Sequence, residues 1–139
     1  MKARKPTACR SSCPINASLE ALGDRWSLLI VRDMAMAGAK TYRDFLSSPE
    51  GIATNILAAR LKQLERHGIV EKSPDPDDSR RWIYTLTPKG LDLAPAIVEL
   101  VIWGARYHET QAPPAILREI ARDRDAYIAD LRSRAPKKP

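Results

Sequence analysis

The side chains able to do chemistry are few, and their spacing decides what kind. Two cysteines, Cys9 and Cys13, and two histidines, His67 and His108, are the only soft or near-neutral ligands and nucleophiles in 139 residues. Two cysteines make neither a disulfide framework nor a four-ligand zinc site, so no structural metal is expected. Neither histidine has a serine or cysteine nucleophile at a recognisable spacing, the carboxylates are scattered, and no glycine-rich loop could cradle a phosphate. The expectation is therefore a protein that is not an enzyme and has no cofactor. What remains is a set of cations and small residues: Thr54, Asn55, Ala58, Ala59, Lys62 and Arg66 in one segment, Arg80 and Arg81 in another, and Arg43 upstream. Their chemistry is hydrogen bonding and charge. Asparagine can pair with an adenine edge, a threonine or alanine methyl can touch a thymine methyl, and lysine or arginine can reach phosphate.

Bulk charge agrees with an acidic partner but does not locate it. The chain carries a formal +6, with a pI near 9.6. Four bases without an acid fall in residues 1–10, and four more, Arg132, Arg134, Lys137 and Lys138, fall in residues 132–139, leaving a net −2 for residues 11–131. Recognition of nucleic acid must therefore rest on a local patch. No apolar run approaches the roughly 20 residues of a membrane span, and the basic start is not followed by the apolar stretch of a secretory signal. A cytoplasmic, nucleoid-associated protein with no membrane contact is expected.

The elements that must position these residues can be read from period and punctuation. Ile15, Leu19 and Leu22 recur at helical spacing after Pro14. Asp24 can cap a second helix, whose expected apolar stripe is Trp26, Leu29, Ile30, Met34 and Ala37, with Arg32 and Asp33 pointing elsewhere and Gly38 ending it. Thr41 and Asp44 approximate a capping box for a short third helix through Leu46. From Ile52 to Gly68, Leu57, Leu61 and Leu64 share one face, and Gly68 stands where a left-handed C-cap belongs. Ile69–Lys72 and Trp82–Leu86 read as two strands joined by a turn rich in proline and aspartate. Thr87-Pro88 opens a fifth helix to Trp103-Gly104, kinked at Pro95. Ile116, Ile120, Tyr127, Ile128 and Leu131 mark one last helix with a thin apolar stripe that needs a partner surface.

Three short helices followed by a hairpin make a winged helix. The fold class is thus mainly α with a small β-hairpin (α+β), a winged helix-turn-helix whose recognition helix enters the major groove. With Leu57, Leu61 and Leu64 facing the core, 100° per residue puts Asn55, Ala59, Lys62 and Arg66 near the opposite side, flanked by Thr54 and Ala58. The alternative for this face is a solvated charged surface. In the turn, one of Asp75, Asp77 and Asp78 is expected to pair with Arg80 or Arg81 and leave the other free; a soluble turn without a ligand is the alternative. Arg25 and Ser27, at the start of the second helix, are further phosphate candidates. Trp26, Trp103 and Tyr107 could line a small-molecule pocket or belong to the core or an interface.

Cys13-Pro14-Ile15, Gly23-Asp24-Arg25-Trp26-Ser27-Leu28-Leu29-Ile30, Phe45, Gly51-Ile52, Leu57-x-x-Arg60-Leu61-x-x-Leu64-Glu65-x-x-Gly68-Ile69-Val70, Tyr84-x-Leu86-Thr87-x-x-Gly90 and Trp103-Gly104 together resemble the HxlR-type winged-helix transcriptional regulators. The wing, Asp75 to Arg81, is closer to that of MarR-type regulators. The HxlR resemblance, over residues 13–104, implies a homodimeric bacterial regulator, expected to be a repressor, on a pseudo-palindromic double-stranded DNA operator. It also implies dimerisation through the first and last helices and an operator-facing set of Thr54, Asn55, Ala58 and Arg60. The helical wheel puts Arg60 nearer the buried edge than Lys62. Ala53 stands where the family has a capping serine, which leaves Thr54 to cap one residue later. In some relatives an N-terminal cysteine senses oxidants or electrophiles, a role that would fall to Cys13 before a helix N-terminus; a packing cysteine is the alternative. The expected division is a basic disordered arm over 1–12, the DNA-binding domain over 13–104, and a dimerisation helix with a basic tail over 105–139. An unidentified small-molecule or redox effector is an expected partner. A winged helix that binds only protein is the competing functional reading.

Overall fold

The computed structural model describes residues 10–134; Cys9, most of the basic arm and the last lysines lie outside them. The elements are α1 (Pro14–Leu22), α2 (Ser27–Ala37), α3 (Tyr42–Leu46), α4 (Thr54–Arg66), β1 (Val70–Pro74), β2 (Trp82–Leu86), α5 (Pro88–Leu91), α6 (Ala94–Tyr107), α7 (Pro114–Arg122) and α8 (Arg124–Ser133). This is the mainly helical winged-helix class, with one antiparallel hairpin in which Val70 faces Leu86 and Pro74 faces Trp82.

The caps behave as their chemistry requires. Asp24 Oδ1 accepts from the Trp26 and Ser27 N–H groups at 2.7 and 2.8 Å, satisfying donors at the start of α2. Thr41 and Asp44 close a reciprocal capping box on α3. Gly68, with φ +69°, takes the left-handed turn after α4. Gly90 is required by closeness: a Cβ there would lie 2.3 Å from the Ile69 carbonyl oxygen.

The main core gathers Val31, Phe45, Leu57, Leu61, Leu64 and Val70, each at most 2% exposed. Burying each large apolar side chain stabilises by about 1.5–3 kcal/mol, so this cluster dominates the packing. Tyr84 joins β2 to it, edge-on to Tyr42 and Phe45, and its N–H donates to the Lys40 carbonyl at 2.8 Å. A second cluster of Ala94, Val98, Ile120, Tyr127 and Leu131 seats α7 and α8 on α6.

Several expectations are corrected. The fifth helix is two: Pro95 has no N–H and cannot lie in a helix interior, so the chain breaks after α5 and restarts with Pro95 in the first turn of α6. The last helix is also two, because Asp123 leaves helical geometry (φ −158°) and caps α8 through the Ala126 N–H. Its apolar stripe finds its partner inside the chain, on α6 and α2. The first strand begins at Val70 and runs on to Pro74. In α2, Ser27, Ile30, Val31, Met34 and Ala35 are buried while Ala37 is exposed, a rotation of the expected stripe.

That rotation places Arg32 and Asp33 partly inside. The Arg32 guanidinium forks onto Glu50 at 2.7 and 2.9 Å, reaches Asp33 at 2.7 Å and donates to Ser48 at 3.2 Å. Ser48 in turn donates to Glu50 at 2.7 Å. This cluster clamps the turn between α3 and α4 to α2. Hydrogen bonding from Arg32 holds the Glu50 carboxyl down, to about 2. A carboxyl depressed on folding contributes stability that is complete above its ordinary range and fades as acid protonates it. Glu50→Gln should therefore cost about 1 kcal/mol near neutral pH, discounted for partial solvent exposure. Chemical denaturation at a series of pH values should show the difference from the parent shrinking as pH falls from the ordinary glutamate range toward 2; a pH-independent difference would contradict the clamp.

Candidate nucleic-acid interface

The second long helix of the helix-turn-helix, α4, carries the candidate surface. Its core side is settled by Leu57, Leu61 and Leu64, at 0–1% exposure. Thr54, Asn55, Ala58, Ala59, Lys62 and Arg66 are all exposed. Small side chains occupy the entry end and cations the later turns. Lys62 and Arg66 make no ion pair among the described residues, so both charges stay available to an anion.

The start of α4 departs from expectation. Ala53 is the cap residue and provides no side-chain acceptor, and Thr54 is the first helical residue, not a substitute cap. The first N–H groups of α4 are left without a side-chain partner, a polarity that favours negative charge at that end.

Arg60 has a different setting from Lys62. Its Nη1 donates to Gln63 Oε1 at 2.9 Å, and its Nε lies 3.4 Å from Asp24 Oδ1. Gln63 Nε2 reaches the Ala21 carbonyl at 3.4 Å. Arg60 and Gln63 thus tie α4 to the corner between α1 and α2, and the guanidinium expected from the family resemblance to face the operator is engaged within the chain. Ser27 is equally committed: fully buried, it donates its hydroxyl to Asp24 Oδ2 at 2.5 Å, so it offers nothing to a phosphate. Burial pushes the Asp24 carboxyl up, but hydrogen bonds from the Ser27 hydroxyl and two backbone N–H groups, with the Arg60 charge, bring it below the usual range. The Arg25 guanidinium stacks 5.8 Å from the Trp26 ring centre.

In the wing, neither arginine stands alone. Arg80 Nε lies 3.3 Å from Asp78, and Arg81 Nε lies 3.6 Å from Asp75 and 3.8 Å from Asp78. Expectation had one arginine paired and one free; because Asp78 sits between the two, it engages both. Arg80 nevertheless keeps 88% of its side chain in solvent, and Arg81 55%. On the exposed side of the wing, Lys72 Nζ lies 4.6 Å from the Trp82 ring centre, a cation–π pair that sequence reasoning missed because it joins two strands. Arg43 on α3 is exposed and makes no ion pair among the described residues.

Other candidates separate. Cys13 is the exposed cap residue of α1; its side chain makes no cap hydrogen bond, but the backbone N–H groups of Asn16 and Ile15 facing it hold its thiol below the usual range. Trp26 packs on the main core, whereas Trp103 and Tyr107 stack together on the outside of α6, ring centres 5.7 Å apart, so the three do not share a pocket. Among the described residues no group of three or more His, Cys, Asp or Glu side chains could hold a metal, and no helix is long and apolar enough to cross a membrane.

Comparison with known proteins gives this geometry its setting. The model of the HxlR-like helix-turn-helix family matches residues 21–112. The HTH-type transcriptional regulator YodB of Bacillus subtilis is 35% identical over 98 residues, 70% of this chain and 87% of YodB. An uncharacterized HTH-type regulator of Mycobacterium tuberculosis is 37% identical over 105 residues, and the match spans only 65% of its length. Among solved structures, PA1607, described as a candidate transcription factor, superposes with a TM-score of 0.66 at 42% identity, covering 76% of this chain and 70% of that one. The oxidized redox regulator HypR superposes at 0.63 with 25% identity, covering 70% of this chain and all of HypR. With the family model matched over residues 21–112 and YodB 35% identical, this chain belongs to the HxlR-like helix-turn-helix family of transcriptional regulators.

Proposed function

We propose that the protein is a homodimeric, sequence-specific repressor that occupies a pseudo-palindromic operator and blocks its promoter, acting on the chromosome in the cytoplasm. The observation that carries this reading is the exposed face of α4, where small residues near the entry end allow close approach and two uncommitted cations follow. In this reading Asn55 pairs with a base edge, Thr54, Ala58 and Ala59 line the groove, and Lys62 and Arg66 hold phosphates. Arg43, Arg80 and Arg81 add backbone contacts beside them. Arg60 is a positioning residue, holding α4 to the α1–α2 corner.

Two apolar strips support dimerisation: Ile15 and Leu19 on α1, at 70% and 59% exposure, and Leu100, Trp103 and Tyr107 at helical spacing on α6, at 51–64%. Apolar surface of this size on helices usually meets a partner. The last helices are spent on the chain's own core, so the proposed interface uses α6 where the sequence pointed to the C-terminus.

Cys13 supports a second element, control by oxidants or electrophiles. It is exposed, sits at a helix N-terminus and carries a thiol held toward its reactive thiolate. Structures of redox regulator HypR in oxidized form and of quinone-bound YodB place such chemistry among its relatives.

Footprinting on DNA upstream of the protein's own gene should show a protected inverted repeat, and Asn55→Ala with Lys62→Ala should weaken protection at least tenfold, since one good bidentate base contact is worth about 1–3 kcal/mol. Absence of protection at low salt, or binding insensitive to salt, would favour a protein-binding module instead. Sedimentation should report a dimer that Leu100→Glu with Trp103→Glu converts to monomer at micromolar concentration; a dimer in that variant would remove α6 from the interface. Diamide or a quinone should release DNA from the parent but not from Cys13→Ser, and equal release from both would exclude Cys13 as the sensor.

A further inference from the structure

A cleft of about 60 Å³ lies where the winged-helix body meets the C-terminal helices, away from the residues assigned above to DNA and to dimerisation. Met34 at the end of α2, Leu86 of β2, Leu91 of α5 and Leu131 of α8 give it an apolar wall, and among the described residues Lys40 and Arg134 are the only charged ones lining it. Leu131 and Arg134 lie beyond the family-matched segment 21–112, so one side of the cleft is built by the added helices.

We propose that this cleft binds a small monocyclic organic anion. Size, polarity and charge each point the same way. A cavity needs about 10–15 Å³ to hold one water, so this cleft has room for several, enough for a single six-membered ring. The wall would take the apolar ring, and among the described residues no carboxylate lines the cleft to repel a negative group at its mouth. Two acids bonded to lining residues are engaged: Asp44, which the Lys40 charge also attracts, accepts the Lys40 and Thr41 backbone N–H groups, and Asp130 pairs with Arg134. Lys40 makes no ion pair among the described residues, which leaves its ammonium for the ligand; Arg134 retains N–H donors beyond those used on Asp130. The Lys40 carbonyl also accepts the Tyr84 N–H, so a ligand here sits across the joint between the helix-turn-helix and the wing. Binding itself does not depend on the DNA-binding reading; an effect of binding on DNA affinity would rest on it.

The test uses the full chain with ¹³C-methyl methionine and sodium benzoate as probe, against matched sodium chloride. Benzoate should shift the Met34 methyl resonance saturably, with a dissociation constant of about a millimolar, the strength expected for a fragment of this size. Met36, which does not line the cleft, should move little. Neutral benzamide should bind at least tenfold more weakly, and Lys40→Glu, at an exposed site, should weaken benzoate about tenfold. Leu131→Phe should fill the cleft and abolish the shift, with the Lys40 variant keeping the test sound if Leu131→Phe fails to fold. No saturable Met34 shift up to about 50 mM, equal binding of benzamide, or an unchanged affinity in Lys40→Glu would each overturn the proposal. A Met34 shift in a protein that gives no footprint would uphold the cleft while overturning the DNA-binding reading.

Discussion

Burial of Leu57, Leu61 and Leu64 is the constraint from which the rest of the molecule takes its orientation. Three leucines at helical spacing and near-zero exposure allow α4 only one rotation about its axis, because any other would put about 1.5–3 kcal/mol per side chain back into water. That single choice turns Asn55, Lys62 and Arg66 outward. It also sets where α3 must end, where Gly68 must turn the chain into the wing, and which residues of α2 meet the helix.

Hydrophobic packing fixes rotation but resists axial sliding only weakly, and the polar ties at the two ends of α4 address that. At its entry end, Arg32 clamps Glu50 and Ser48 in the preceding turn. Further along, Gln63 and Arg60 reach Ala21 and Asp24 at the α1–α2 corner. Arg60 therefore illustrates how a cation on a recognition helix can act through position. Its exposure is intermediate, its guanidinium lies against Gln63 and Asp24, and its geometry makes it a brace between α4 and the corner that opens α2.

Much of this was legible along the chain because it depends on local rules. Asp24, the Thr41–Asp44 box, Thr87-Pro88 and Gly68 each satisfy backbone groups within a few residues, so residue type and spacing identify them. The recognition helix was legible for the same reason: its apolar row has the helical period and no interruption. Pro95 was visible too, but its effect was misjudged. A proline that cannot be tolerated inside a helix can sit in the first turn of a new one, and the choice depends on whether the chain before it has a place to turn. Asp123 was hidden among charged residues, since nothing local distinguishes a capping aspartate from a solvated one.

What the sequence by itself determined is the order of elements, the winged-helix class and the exposed face of α4, because those follow from period, capping and the hydrophobic effect acting on neighbours. The tertiary structure alone decided which charges are spent and which are free. Arg32 meets Glu50 eighteen residues away, Arg60 meets Asp24, and Leu131 closes a cleft against Met34. Coulomb attraction and desolvation depend on distance and burial in space, and neither quantity is written in the separation of residues along a chain.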